Sequence, residues 1–445
     1  MRSVMIAVVV CLAPVCLAQT VVDPNLRVQT WVSGLSNPTG AAIFNTRGDM
    51  MVIEKNTGRV RLVRDRRIRG TLLDLPVANS SERGLLGLVL SPTFATDNLV
   101  YLYHTAATAD GGTAISNKIS RYRYDGSSLV FDRKIIDLPV LPGENHNGGK
   151  LVFGPDGKLY AVNGDVNLNN QTANYGGTAI QNTAAVLRLN PSGTIPADNP
   201  FSGDARAIYA YGIRNSFGIA FDPVTGDLWD TENGPGDYDE INRVFKGFNS
   251  GWERIMGPSS RQGGVPALNP LGPAAVYDDP KFSWVAPVAP TDLEFFPSSR
   301  LGAEYKNDLF VGTTRGGKVL RFELTGSRRS LRLEGPLADL VADNSNSNRF
   351  AEQDALLFGN DFGLVSDLLV GPGGLYVVDF AGGTIYRITT QPTAMRGSVR
   401  VPEPGWMAAA VSAAVMLVCR RRPAGVARAR FRSKQGPRGA AAGLS

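Results

Sequence analysis

The stretch Lys150-Leu151-Val152-Phe153-Gly154-Pro155-Asp156-Gly157-Lys158-Leu159-Tyr160-Ala161-Val162 decides the fold, because it joins two short apolar segments through a tight turn. Gly and Pro favour the turn, and the β-branched and aromatic residues on either side favour strands. A third segment, Val186-Leu187-Arg188-Leu189, follows after a longer polar loop and reads as another strand. The stretch therefore predicts one small antiparallel sheet.

The same unit recurs six times between about residues 30 and 390. Its opening strands are residues 40–44, 87–92, 150–155, 218–223, 292–297 and 367–372. Repetition at this spacing indicates sheets stacked around an axis, since a ring covers both faces of each small sheet with a neighbour. We therefore predict an all-β fold, a six-bladed β-propeller over residues 25–391, in preference to one or two β-sandwiches. Polar loops at 163–184, 245–287 and 323–364 are long enough to build a pocket over the central channel.

Charge and cysteine content exclude several classes of function. The formal net charge is +6, but eight basic residues and no acidic one follow position 419, so the repeat region is close to neutral. Nothing in it predicts nucleic-acid binding. The three cysteines, Cys11, Cys16 and Cys419, all lie in the terminal apolar segments. The repeat region therefore has no disulfide, no Cys-ligated zinc and no cysteine nucleophile.

The first 18 residues have the pattern of a secretory signal peptide. Arg2 precedes an apolar run from Met5 to Val15, and small residues follow it up to Ala18. The alternative is a buried N-terminal strand. A signal peptide predicts export across the inner membrane, which leaves the protein periplasmic, on the cell surface or secreted.

The C-terminal segment has an order of features typical of a sorting signal. After a linker at 392–400 come Val401-Pro402-Glu403-Pro404, an apolar run that predicts a single helix, and Arg420-Arg421-Arg422. Residues 401–422 resemble the PEP-CTERM signal, which implies an exosortase-type processing enzyme as a partner. A plain membrane anchor is the alternative, and both imply transient or permanent membrane attachment. The basic tail at 423–445 is longer than that family usually shows and is predicted to be disordered.

Six groups of polar and glycine-rich residues follow one another in the repeat region. They are Ser81–Gly87, Asn145–Gly149, Gly157–Tyr160 with Gly164-Asp165, Leu187–Asn190 with Gly193–Pro200, Tyr211–Asn215, and Glu232–Pro235 with Asp239–Asn242. This series resembles the soluble glucose/sorbosone dehydrogenase family, six-bladed quinoproteins that use pyrroloquinoline quinone (PQQ) and calcium. The resemblance covers about residues 30 to 390. It implies an aldose or related polyol as substrate and an external electron acceptor.

His146 is the candidate general base. It lies among small polar residues that leave a neutral imidazole approachable, and Asp165 follows the next strand on the same side. The resemblance implies that His146 removes the proton of the sugar C1 hydroxyl while hydride passes to the quinone, with Asp165 as the partner of the imidazole. The other histidine, His104, lies in an apolar strand, and we predict a structural role for it.

The resemblance also implies binding roles for other loop residues. Arg214, Asn215 and Arg315 fall on cofactor-binding positions, and a guanidinium suits the carboxylates of the quinone. The main-chain carbonyls of Gly234 and Pro235 fall on calcium-binding positions, consistent with the preference of calcium for oxygen. Glu82 falls near a position that contacts substrate.

The sequence departs from the family pattern at three places. Ile213 replaces a histidine, Arg315 replaces a lysine, and the stretch Phe362–Asp367 lacks two arginines that the well-studied glucose enzymes have there. These departures leave open a non-catalytic surface propeller that binds glycan or protein through a degenerate cofactor site. A hydrolytic propeller of the lactonase type is a further alternative, and it requires several carboxylate ligands around a central metal.

Overall fold

The computed structural model describes residues 18–167, 172–174, 180–343 and 352–392. The chain divides into two units, Met1–Gln391 and Pro392–Ser445. Nearly all of the predicted signal peptide (1–18) and linker (392–400) lies outside the described residues. The PEP-CTERM segment at 401–422, with its apolar helix, and the basic tail at 423–445 lie wholly outside them. Within the described ranges, no helix has both the length and the apolar character needed to cross a membrane.

The first half of the repeat region consists of short strands and one helical turn. In chain order the strands are β1 (Thr20–Val21), β2 (Leu26–Ser33), β3 (Pro38–Ile43), β4 (Met50–Glu54), β5 (Arg59–Arg64), β6 (Arg67–Asp74), β7 (Leu85–Leu90), β8 (Leu99–Ala106), β9 (Ser116–Tyr124), β10 (Leu129–Leu138), β11 (Leu151–Phe153), β12 (Leu159–Asn163), β13 (Ala185–Leu189) and β14 (Ile208–Tyr211). Helix α1 (Phe94–Asp97) lies between β7 and β8.

The second half continues the same pattern. Its strands are β15 (Gly218–Phe221), β16 (Leu228–Glu232), β17 (Asp239–Val244), β18 (Phe248–Asn249), β19 (Val276–Tyr277), β20 (Phe282–Trp284), β21 (Pro290–Phe295), β22 (Leu309–Thr313), β23 (Val319–Phe322), β24 (Val341–Ala342), β25 (Leu357–Asn360), β26 (Val365–Gly371), β27 (Gly374–Asp379) and β28 (Thr384–Thr390). Short 3-10 helices cover Gly203–Ala205, Ser259–Arg261, Ala303–Tyr305, Gly335–Asp339 and Glu352–Leu356.

In the described residues these strands form six sheets. Their strand orders are β3-β4-β5-β6, β7-β8-β9-β10, β11-β12-β13-β14-β18-β19, β15-β16-β17-β20-β24, β21-β22-β23-β25-β1 and β26-β27-β28-β2. The opening strand of each sheet contacts that of the next, in the closed order β3, β7, β11, β15, β21, β26 and back to β3. This ring confirms the predicted all-β propeller, and the opening strands coincide with the repeats in the sequence.

Hydrophobic clusters lie between neighbouring sheets, as a ring of small sheets requires. One cluster joins Trp229 and Trp284 to Phe295 and Phe322 of the next sheet. Five further clusters join the other neighbouring pairs. Each sheet thus buries both faces against its neighbours, and its loops emerge at the two ends of the ring.

Strand β2 closes the ring in a way that the repeats do not indicate. It pairs antiparallel with β28 from Leu26 opposite Thr390 to Ser33 opposite Thr384. The outer strand of the last sheet therefore comes from the start of the propeller. Pairing the two ends of the propeller removes an open edge, which would otherwise expose unpaired backbone groups.

A buried ion cluster ties the opening strands together near the axis. Lys150 Nζ lies 2.8 Å from Asp292 Oδ2 and 2.6 Å from Asp367 Oδ1. Asp367 Oδ2 also accepts the main-chain N–H of Ala41, and Asp292 Oδ2 accepts that of Leu368. Burial alone would lower the pKa of Lys150, but the charges of the two aspartates overcome this effect and raise it. The ammonium therefore stays charged and crosslinks the inner strands.

Candidate active site

The ring brings the sequence-predicted site residues to one cavity. Glu82 precedes β7, His146 precedes β11, Asp165 follows β12, and the other residues follow β14, β16 and β22. A cavity of about 430 Å³ is lined by seven of the eight: Glu82, His146, Arg214, Asn215, Gly234, Pro235 and Arg315. The eighth, Asp165, is fully buried behind the imidazole.

His146 and Asp165 form a hydrogen-bonded pair. Nδ1 of His146 lies 2.5 Å from Oδ1 of Asp165, and the imidazole side chain is 11% exposed whereas the carboxylate is fully buried. A carboxylate at Nδ1 holds the proton there and leaves Nε2 as the free base. The pair thus has the arrangement that proton abstraction at the cavity wall requires.

The main chain of His146 is held in an uncommon conformation. Its φ is +59°, in the left-handed region that non-glycine residues seldom occupy. Oε2 of Glu82 accepts the His146 main-chain N–H over 2.6 Å and also the Asn215 side-chain amide over 3.1 Å. Glu82 therefore does more than line the cavity, because it ties the His146 loop to the loop that carries Asn215.

Arg214 occupies the same wall of the cavity. Its Nη1 donates to the carbonyl oxygen of Asn233 over 2.8 Å, and its main-chain N–H donates to Oε1 of Glu232 over 2.6 Å. Burial lowers the pKa of Arg214, and the negative charge of Asp165, followed by that of Glu232, opposes this effect. Within the described part of the chain, Nε of Arg214 and Oδ1 of Asn215 are buried without a hydrogen-bond partner. Both atoms are therefore available to form hydrogen bonds with a ligand.

Gly234 and Pro235 lie in a turn fixed by a buried carboxylate. Oδ1 of Asp239 accepts the main-chain N–H of Gly234, and its Oδ2 accepts those of Val288 and Ala289. Burial raises the pKa of Asp239, and these three N–H groups oppose the rise. No described donor hydrogen-bonds to the carbonyl oxygens of Gly234 and Pro235. Both oxygens are therefore available as ligands.

Arg315 lines the first cavity, and the arginine-free stretch lines a second cavity next to it. Arg315 is exposed at the cavity rim, and its Nη1 donates to the carbonyl oxygen of Pro287 over 3.1 Å. A second cavity of about 280 Å³ adjoins the first and shares Glu82 with it; Leu364 and Lys55 are also in its wall. Burial lowers the pKa of Lys55 to about 8, and the charge of Glu82 opposes this effect. Residues 364–367, in the stretch that lacks the two arginines, therefore lie in the mostly apolar wall of this second cavity.

Three carboxyl groups of β16 and β17 are buried near the site, and one of them, Glu232, accepts the Arg214 main-chain N–H. Burial raises the pKa of Glu232 to about 7, against hydrogen bonds from Ser250 and from the Arg214 main chain. Burial also raises the pKa values of Asp230 and Glu240 well above their ordinary range. Glu232 and Glu240 pair directly across β16 and β17. In the described residues, no group of three or more His, Cys, Asp or Glu side chains is arranged to hold a metal ion.

Sequence reasoning missed Trp252, which contacts two predicted site residues at once. Its indole N–H donates to Asp165 Oδ2 over 2.8 Å, and the Arg214 guanidinium lies 5.4 Å from its ring centroid. The only signal in the sequence was its position in the long loop at 245–287. His104, in contrast, is 5% exposed within β8 and outside both cavities, and burial lowers its pKa to about 4. This placement agrees with the predicted structural role.

Comparison with known proteins identifies the class to which this fold and site belong. The sequence model described as Glucose / Sorbosone dehydrogenase matches residues 35–378, and the chain belongs to that family. An uncharacterized protein of Synechocystis is 31% identical over 68% of this chain and 77% of its own length. Quinoprotein glucose dehydrogenase B of Acinetobacter calcoaceticus is 31% identical over 52% of this chain and 53% of its own. This chain therefore spans about half the length of the Acinetobacter enzyme.

Solved structures give the same result for the fold. The PQQ-bound aldose sugar dehydrogenase of Streptomyces coelicolor aligns with a TM-score of 0.62 and 25% identity, over 82% of this chain and 98% of its own. The soluble aldose sugar dehydrogenase of Escherichia coli, in its apo-form, aligns with a TM-score of 0.64 and 25% identity, over 82% of this chain and all of its own (100%).

Proposed function

We propose that this protein is a sugar dehydrogenase that uses PQQ and calcium and oxidises an aldose or related polyol at C1. One observation carries the proposal: seven predicted site residues line a single cavity, and the eighth orients the candidate base. The dehydrogenases among its relatives support the reaction class. The ring of six sheets supports the interpretation of the fold as a six-bladed propeller.

The residues present fit the two cofactors. The guanidinium groups of Arg214 and Arg315 would hold a quinone that carries carboxylates, and Nε of Arg214 is without a partner among the described residues. The carbonyl oxygens of Gly234 and Pro235, which accept no hydrogen bond from a described donor, would hold a calcium ion. When bound, the quinone is the hydride acceptor and the calcium ion polarises it.

The chain itself supplies proton transfer and positioning. Nε2 of His146 accepts the proton of the C1 hydroxyl, because Asp165 holds the other ring proton on Nδ1. The carboxylate also stabilises the imidazolium that results. Oε2 of Glu82 accepts the main-chain N–H of His146 and so fixes the His146 loop. The other oxygen of Glu82, Oε1, remains for substrate.

Export and sorting are proposals that rest on the sequence alone. Residues 1–18 support export across the inner membrane, and 401–422 support C-terminal sorting by an exosortase-type enzyme with membrane attachment. Fractionation of cells that produce the full chain tests both proposals. Protein that stays in the cytoplasm contradicts export, and a C-terminus that remains intact in the membrane favours the plain anchor.

The enzymatic proposal is tested by adding PQQ and Ca²⁺ to the apo-protein and following sugar-dependent dye reduction. The expected result is activity that requires both additions and falls by at least about a hundredfold in His146→Ala, the range for loss of a general base. His104→Asn, which changes the other histidine, keeps the activity. Equal activity of His146→Ala and wild type would remove His146 as the base.

The apolar wall of the second cavity at Leu364 supports a second candidate function, which is binding without catalysis. A propeller that binds glycan or protein without catalysis needs no quinone. Titration of wild type with PQQ, followed by absorbance, separates the two proposals. Absence of both binding and dye reduction would favour the binding module.

A further inference from the structure

We propose that Trp252 is a positioning residue that holds Asp165 and Arg214 in one fixed arrangement and so keeps His146 in its base-competent tautomer. This inference rests on the proposed function for its catalytic consequence. Its structural part stands on contacts within the chain alone. No site role was predicted for Trp252 from the sequence.

The indole of Trp252 contacts two residues of the site. Its Nε1–H donates to Asp165 Oδ2 over 2.8 Å, and Asp165 Oδ1 lies 2.5 Å from His146 Nδ1. Its ring lies beneath the guanidinium of Arg214, with 5.4 Å between Cζ and the ring centroid. A single side chain therefore contacts both the partner of the base and a predicted cofactor ligand.

The indole itself is rigidly held. The main-chain N–H of Trp252 donates to the carbonyl oxygen of Gly212 over 3.0 Å, and its own carbonyl oxygen accepts the Asn174 amide over 2.8 Å. Trp252 is 9% exposed, and its side chain packs against Ala184 and Met256. Because the ring cannot follow a moving partner, it imposes its position on Asp165.

The hydrogen bond has a definite chemical effect. Asp165 is fully buried, and a buried carboxylate oxygen without a hydrogen-bond donor is energetically costly. The main-chain N–H of Asn167 supplies one donor to Oδ1, and the indole supplies the donor to Oδ2. An ionised and correctly turned carboxylate keeps the His146 proton on Nδ1. Without the indole, Oδ2 loses its one hydrogen-bond donor among the described residues, and the carboxylate is free to rotate.

The variant Trp252→Phe removes the N–H and keeps a ring beneath Arg214. Trp31→Phe is its matched control, because Trp31 is 8% exposed, also stacks against arginines, and has an Nε1 without an acceptor in the described structure. The chain contains two histidines, so the imidazole signals of tag-free, full-length apo-protein with ¹⁵N-labelled histidine are assigned with His146→Ala.

The expected result at about pH 8, where a free imidazole is neutral, is one tautomer of His146 in wild type and in Trp31→Phe. In Trp252→Phe the two ring nitrogens give averaged shifts. With PQQ and Ca²⁺, kcat falls about tenfold or more, as loss of a hydrogen bond to a charged group predicts, while the absorbance titration with PQQ is unchanged. Retention of a single tautomer in a folded Trp252→Phe overturns the proposal.

The reciprocal variant Asp165→Asn covers the case in which Trp252→Phe does not fold. It is expected to shift one of the five indole N–H signals of the apo-protein and to leave the others in place. Indole signals that are all unchanged in Asp165→Asn contradict the hydrogen bond. Failure of the proposed function is separately visible, since wild type would then show no dye reduction while the tautomer still decides the role of Trp252.

Discussion

The main-chain N–H of Asp165 donates a hydrogen bond to the carbonyl oxygen of Arg214 over 2.9 Å. The next residue, Val166, donates in the same way to the carbonyl oxygen of His146 over 3.2 Å. Gly164 lies directly before them. Backbone hydrogen bonds therefore set the distance between His146, the candidate base, and Arg214, the candidate ligand of the quinone carboxylates. Such contacts are less adaptable than contacts of long side chains.

We expect Gly164→Ala to break this spacing. A Cβ at Gly164 would lie 2.4 Å from the His146 carbonyl oxygen and 2.8 Å from that of Arg214. Both are backbone atoms and cannot move independently of the loops, so the cost is about 1–3 kcal/mol, as for overpacking of a well-packed site. Denaturant unfolding measures the stability, and dye reduction in the presence of PQQ and Ca²⁺ measures the expected loss of activity.

Gly70→Ala is the control, because a Cβ there meets no atom within 4 Å. It is expected to leave both stability and activity close to wild type. If Gly164→Ala unfolded at the same denaturant concentration as Gly70→Ala, the close approach would have no energetic consequence.

The role of Glu82 is tested with two substitutions. Glu82→Ala removes the acceptor of the His146 main-chain N–H and the Asn215 amide, whereas Glu82→Gln keeps an oxygen and loses the charge. We expect Glu82→Ala to lower kcat about tenfold or more, since about 1–3 kcal/mol follows when the N–H of the buried residue His146 loses its acceptor. Glu82→Gln should have a smaller effect. Steady-state kinetics with a range of sugar concentrations separates kcat from KM.

The control for Glu82 is Glu144→Gln, which changes a half-exposed carboxylate of the same loop region that lies 3.8 Å from Arg83. It should not alter either constant by more than about twofold, since the Glu144 carboxylate reaches solvent and its contact with Arg83 is long. A Glu82→Ala enzyme with raised KM and unchanged kcat would instead assign Glu82 to substrate contact alone.

The local parts of this structure are the parts that the sequence predicts. The repeat at 150–162 folds as two strands because its apolar residues, turn glycine and proline act over a few residues. The loop residues of the site could be placed because they adjoin those strands. His146 and Arg214 share a cavity because β11, which follows His146, and β14, which precedes Arg214, belong to the same sheet.

The remaining features depend on contacts between distant parts of the chain. Nothing near Leu26 indicates that β2 will pair with β28, since any strand with an apolar face is a suitable partner. The same holds for Trp252, whose acceptor at Asp165 lies in another loop. Lys150 looks like a solvated lysine in sequence, and its two aspartates become visible only when the ring closes.

We expect Lys150→Met to destabilise the propeller by about 3–5 kcal/mol, because removal of one partner leaves buried carboxylates without a countercharge. Burial raises the pKa of Asp292, and the charge of Lys150 opposes that rise. Loss of the Lys150 ammonium therefore makes ionised Asp292 costlier, so the loss of stability grows as pH rises and shrinks as acid protonates Asp292. Denaturant unfolding at several pH values measures this dependence.

Lys318→Met is the matched control for Lys150→Met. The Lys318 side chain is 17% exposed, close to the 21% of Lys150, but its partner Asp354 is 48% exposed. Loss of a pair that reaches solvent should cost less than about 1 kcal/mol. Equal destabilisation by the two substitutions would show that the ion cluster of Lys150, Asp292 and Asp367 has no special role in stability.

We expect Glu294→Gln to flatten the dependence of stability on pH. Burial raises the pKa of Glu294 to about 7, with the charge of Lys150 opposing the rise, whereas the unfolded chain titrates near the ordinary value of 4.5. Between these values the folded state binds more protons than the unfolded state, so wild-type stability falls as pH rises through this window. The neutral amide escapes that loss, and the variant gains about 2 kcal/mol relative to wild type between pH 5 and 8. Glu304→Gln, on the surface, is the control, and parallel pH profiles for wild type and Glu294→Gln would contradict the assignment.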